Sequence, residues 1–120
     1  IIEILANEKK WIINYFIFML NLLKIIGYDI DYQKNTSKDY LNLDSLQFSN
    51  VSIAKSIKFP HLLLNYKNDI NLENANSFFR VFEIILQNHH LNNMNLNIPI
   101  HYFKFKKIVL NFLNKNEKYN

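Results

Sequence analysis

"YFIFMLNLLKIIGYDIDY", residues 15–32, decides the fold, because it reads either as a membrane span or as the central helix of a folded core. From Trp11 to Ile26 there is no Pro or Gly, and only Asn14, Asn21 and Lys24 are not apolar. At about 100° per residue these three fall within one narrow sector of the helical wheel, and apolar groups fill the rest. A span needs about 20 nearly uncharged residues; this run is shorter and carries a lysine. It predicts a core helix buried on most sides, closed by Gly27 as a left-handed C′ residue. No small-residue cleavage site follows the run, so it does not read as a secretory signal either. Residues 1–7 read as the end of an earlier helix or a connection.

The rest of the composition fits a core of that kind. The chain has 120 residues, 49% of them apolar, with 10 Phe and 7 Tyr to fill a single hydrophobic interior. It has no Cys, which excludes disulfides and thiolate metal sites and is compatible with a reducing compartment such as the cytoplasm. Asn, Lys and Ile are abundant in the manner of an AT-rich genome, so a single Asn or Lys carries less information than usual. The first residue is Ile, and the expectation is a single helical domain over 1–120 from the C-terminal part of a longer protein. The net charge of +4 lies at one end: residues 101–120 hold five Lys against one Glu, while the other hundred balance at nine and nine. A basic end attracts polyanions, whether nucleic acid or an acidic peptide.

Working outward from the first helix, "DYLNLDSLQFS" (39–49) alternates. Leu41 and Leu43 share one face, and Leu46 and Phe48 follow an Asp44-Ser45 break. This predicts a short β-hairpin with a two-residue turn. In "IKFPHLLLNY" (57–66), Pro60 forces Phe59 to be extended, and a short helix is expected after it. "NLENANSFFRVFEIILQNHHL" (71–91) predicts an amphipathic helix capped by Asn71. Ala75, Phe78, Phe79, Val81, Phe82, Ile85 and Leu86 form its apolar face, with Glu73, Asn76, Arg80, Glu83 and Gln87 opposite. A loop containing Pro99 leads to a last helix at 101–115, apolar at Phe105, Ile108, Val109, Phe112 and Leu113. The fold class is mainly α, a small helical bundle with a short β-hairpin insert at 39–49.

Little in the chain points to catalysis. One Gly excludes phosphate-cradling loops, and Ser and His occur without the local signature of a nucleophilic site. Adjacent His89 and His90 diverge by about 100° on a helix and do not converge on one ion. His89, on the apolar face, reads as a hydrogen-bonded histidine at the edge of the core. Asp29 and Asp31 read as solvated loop residues. No enzyme activity, cofactor, metal or small-molecule substrate is expected. The stripe Lys104, Lys107, Lys115 and Lys118 on the last helix reads either as a solvated helix face or as a binding surface. It suits successive phosphates or an acidic partner, and Arg80 either extends the patch or pairs with Glu73 or Glu83.

Three segments, in this order, resemble the C-terminal helical domain of RecO, the bacterial recombination mediator. "FIFMLNLLKIIGYDIDY" (16–32) is similar to the family's aromatic and Leu-rich helix ending in Leu-Gly-Tyr before an Asp-containing extended segment; Ile26-Gly27-Tyr28 and Asp29 or Asp31 stand in those places. "IKFPHLLL" (57–64) is similar to a Pro followed by an apolar run. "FRVFEIILQNHHLNNMNLNIPIHYFKFKKIVLNFL" (79–113) is similar to the closing helix, Pro loop and final helix. Together they span most of residues 11–115. The chain departs from the family in two places. Four cysteines found in many members after the Gly-Tyr are absent from 33–50, as in the zinc-less type, and an Arg three positions after the loop Pro is here Tyr102.

The resemblance implies a DNA repair and recombination mediator whose partners are the SSB C-terminal tail, RecR, and single- and double-stranded DNA. Such a protein helps RecA load and anneals strands, and carries an N-terminal OB-fold, which the resemblance places before Ile1. The competing expectation is a structural subunit of a large nucleoprotein assembly such as an organellar ribosome. A membrane-surface role ranks behind both.

Overall fold

A computed structural model describes residues 2–61, 64 and 70–118, with side chains from Lys9 to Lys115 within those ranges. The first helix, α1 (Ile2–Ile25), is continuous, so residues 2–7 belong to it and not to an earlier helix or a connection. It ends as Gly27 predicts. Gly27 takes φ 109°, its N–H donates to the Lys24 carbonyl at 3.1 Å, and the Tyr28 N–H donates to the Leu23 carbonyl at 2.8 Å. That pair of bonds is the Schellman arrangement, which satisfies two carbonyls the helix leaves open.

Ile12, Ile13, Phe16, Met19, Leu20 and Leu23 are buried at the three- and four-residue spacing of one helix face. Phe16 is at the centre, stacked on Phe78 at 4.1 Å between ring centroids and edge-on to Phe79 at 5.1 Å. Burying such a ring contributes about 1.5–3 kcal/mol. The expectation of burial on most sides is corrected. Trp11, Phe18, Leu22 and Ile25 are 52%, 58%, 39% and 80% exposed. The described helices pack on α1 from one side only, so its apolar girth exceeds the cover available.

After α1 the chain forms three short antiparallel strands, β1 (Tyr40–Asn42), β2 (Phe48–Ser49) and β3 (Ser56–Lys58), in the order β2-β1-β3. Tyr40 pairs with Ser49 and Leu41 with Phe48 on one side; on the other, Leu41 pairs with Ile57. The predicted hairpin is present, but its connection is five residues (43–47) and not two. With no Gly to supply a tight primed turn, the Asn42 Oδ1 accepts from the Asp44 and Ser45 N–H groups, both at 2.9 Å. Leu46 then takes φ 60° to return the chain. The third strand has too few residues to show alternation, so the sequence did not announce it. Phe59 continues it, donating its N–H to the Asp39 carbonyl at 2.8 Å. The helix expected after Pro60 falls largely outside the described residues.

The helix α2 (Leu72–Ile84) starts at Asn71, whose side chain accepts from the Asn74 N–H at 2.8 Å. Its buried face is Ala75, Phe78, Phe79, Val81 and Phe82, as periodicity predicts. The α-helix does not run on to Leu91. Residues Ile85–Leu91 form a π-helical segment, followed by a 3₁₀ turn at Asn92–Met94 and left-handed Asn95. Gln87, expected on the solvent face, organises the loop that follows. Its Nε2 donates to the Asn92 Oδ1 and the Leu96 carbonyl, and its Oε1 accepts from the Ile98 N–H at 3.1 Å.

The last helix, α3 (Ile100–Lys118), is longer than predicted. It buries Val109 and Leu113, and half-buries Tyr102, Phe105, Leu110 and Phe112. Ile108, assigned to the apolar side, is 67% exposed. No described helix is long and apolar enough to cross a membrane.

Candidate partner-binding site

On α3, the side chains facing the core set which side is left outside. Tyr102 stacks on Phe82 at 5.6 Å and meets Phe79 edge-on at 6.2 Å. Its hydroxyl donates to the Glu83 Oε2 at 3.0 Å. Burial, and then the Glu83 carboxylate, hold the Tyr102 phenol far above its ordinary pKa of 10.0. Lys106 closes the arrangement with its Nζ 2.8 Å from the same Glu83 oxygen. That ammonium also lies 5.8 Å from the Phe79 ring centre and 5.9 Å from that of Phe103. Glu83 therefore ties α2 to α3 through two donors and fixes the rotation of α3 about its axis.

With that rotation set, Lys104, Lys107 and Lys115 are exposed on the outer side of α3. Lys118 is on the same helix, but its side chain lies outside the described set. Lys104 and Lys107 are three positions apart, where like charges repel each other and an anion relieves the repulsion. Beside them is a shallow cleft of ≈ 310 Å³ lined by Phe103, Lys106, Lys107, Leu110 and Asn111. Apolar floor and cationic rim are the two elements that an acidic chain ending in hydrophobic residues requires. Sequence periodicity missed the cleft, because Phe103 and Leu110 lie between the two faces that the wheel separates.

Arg80 is exposed on α2 and forms no ion pair with a described residue. Neither of the expected pairings, with Glu73 or Glu83, is among the described ion pairs; Glu83 pairs with Lys106.

His61, His89 and His90 act as structural ties, and His101 is exposed. The His89 Nε2 is 2.7 Å from the Leu43 carbonyl, joining the π-helical segment to the hairpin. Tyr28, directly after Gly27, donates its hydroxyl to the His89 carbonyl at 2.8 Å and lies 3.3 Å from the His90 Nδ1. The end of α1 is thus pinned to the π-helical segment that follows α2. The His61 Nε2 is 2.8 Å from the Lys38 carbonyl. Asp29 and Asp31 are exposed. Among the described residues no three His, Asp or Glu side chains gather as metal ligands. No family model, curated protein or solved structure matches the chain.

Proposed function

We propose that the chain is the helical domain of a RecO-like recombination mediator acting in the cytoplasm. It is a non-enzymatic binding domain that engages the acidic tail of SSB and, with RecR and DNA, helps RecA loading and strand annealing. The observation that carries this reading is the exposed Lys104–Lys107–Lys115 face running beside the Phe103–Leu110 cleft. The order of the three sequence segments and a helical bundle carrying a β-hairpin support it further. Tyr102, which stands where the family often has an Arg, is spent on core packing and on Glu83. No role of that Arg is carried over to this position, although Lys104 is close by.

The test is titration of a fluorescent acidic SSB-tail peptide into the 120-residue chain at several salt concentrations. Reversing Lys104 and Lys107 together to Glu removes two attractions and adds two repulsions. At about 0.2–1 kcal/mol per exposed pair, this weakens binding by roughly tenfold. Affinity also falls as salt rises. Binding untouched by both substitutions removes the lysines from the site, and absence of peptide binding removes the partner.

The second reading, a structural subunit of a large nucleoprotein assembly such as an organellar ribosome, is favoured by the uncovered apolar side of α1. It calls for structured RNA, and not the tail peptide, to occupy the lysine face.

A further inference from the structure

The exposed apolar side chains of α1 are not scattered. Exposed Trp11, Phe18, Leu22 and Ile25, with half-buried Tyr15 between the first two, follow one another at intervals of four, three, four and three residues. That is the spacing of a coiled-coil seam, which keeps its apolar positions facing one partner helix. Tyr15 continues the stripe, its ring centre 6.0 Å from Trp11 and 6.0 Å from Phe18. The seam runs about 21 Å along the axis at about 1.5 Å per residue. Its exposed fractions leave roughly 450 Å² of apolar surface, within the size range of functional patches. It also differs from the cleft above, because Trp11 and Tyr15 meet α3 at Phe105, 5.8 Å and 4.6 Å away, on another side of that helix.

Charge selects the occupant. From Lys9 to Ile25 there is no Asp or Glu; Asp29 and Asp31 come after the helix end, in a cavity that Lys24 and Asn21 also line. One flank of the seam carries Asn14 and Asn21, with exposed Lys10 and Lys24 beyond them. Neither lysine forms an ion pair with a described residue. The other flank meets α3, whose outer face bears Lys104 and Lys115. A second copy docked here sets these lysines against their own kind, and like charges across a contact oppose pairing. An acidic helix neutralises both flanks. We propose that the α1 seam docks an acidic amphipathic helix of a partner protein, with apolar residues at alternating three- and four-residue spacing and Asp or Glu beside them.

Trp11 is the chain's single Trp and lies in the seam, so its emission reports occupancy. The probe is a 28-residue Trp-free helical peptide with Leu at the two apolar heptad positions and Glu at the flanking ones. Its counterpart carries Lys in place of Glu. The acidic peptide is expected to blue-shift Trp11 emission saturably, with an affinity that falls as salt rises, and to bind at least tenfold tighter than the basic one. Phe18→Ser and Ile25→Ser, both at exposed positions, are expected to weaken it about tenfold with an unchanged far-UV circular dichroism spectrum. Lys10→Glu with Lys24→Glu is expected to narrow or reverse the preference between the peptides. The proposal is overturned if the acidic peptide produces no shift, if both peptides bind alike, or if the serine variants bind as the parent does. It is equally overturned if the chain alone sediments as a dimer that Phe18→Ser disperses, which assigns the seam to a second copy.

Discussion

Replacing Glu83 by Gln removes one charge from the point where α2 and α3 meet. Glu83 accepts from the Tyr102 hydroxyl at 3.0 Å and pairs with Lys106 at 2.8 Å, and the paired Glu83 and Lys106 side chains are 19% and 26% exposed. A fully exposed pair contributes about 0–1 kcal/mol, and breaking a buried one costs about 3–5 kcal/mol. This pair lies between those limits. Gln keeps an acceptor for Tyr102, so the loss there is the charge-assisted part of the bond, about 1 kcal/mol. Lys106 loses its counter-ion but keeps the Phe79 and Phe103 ring faces and a route to water. The sum is about 2 kcal/mol, or about 8 °C in Tm for a domain of this size. Urea unfolding followed by circular dichroism measures the first figure and calorimetry the second. Lys106→Met, alone and in the Glu83→Gln background, completes a double-mutant cycle, with a coupling of about 1 kcal/mol expected. A loss under about 0.5 kcal/mol, or no coupling, refutes the claim that Glu83 locks the rotation of α3.

Two further outcomes follow from single residues. Burial and Glu83 raise the folded-state pKa of Tyr102 above 10.0. Its contribution to stability is therefore complete below about pH 10 and is lost as pH rises, because only the unfolded chain then ionises. Tyr102→Phe is expected to flatten the alkaline arm of the stability–pH curve by about one proton; an unaltered arm refutes the assignment. At Gly27, a Cβ meets nothing within 4 Å, so Gly27→Ala costs only the strain of φ 109°. About 1–2 kcal/mol is expected in urea unfolding, and a neutral substitution shows that α1 does not end in that left-handed turn.

The lysine face and the cleft differ in how far they can be read from the chain. Lys104, Lys107 and Lys115 were legible because one helical period places them together, and Lys106 separates from them on the same wheel. Nothing local shows that Lys106 meets Glu83, which lies 23 positions earlier. Nor does spacing show that Arg80 is left without that partner. The π-helical segment was equally hidden. Its determinants are Gln87 holding the loop at Leu96 and Ile98, and Tyr28 reaching the His89 carbonyl from 61 positions away.

The chain by itself determined the elements whose cause is local. These are the apolar run of α1 and its stop at Gly27, the Asn71 cap, the amphipathic α2, the hairpin alternation and the basic stripe of α3. Tertiary structure alone decided which apolar surface is covered. Trp11, Phe18, Leu22 and Ile25 are as hydrophobic as Phe16 and Leu23 are, but burial depends on the presence of a neighbouring element. In this bundle α2 and α3 reach only one side of α1, and the uncovered side becomes a seam.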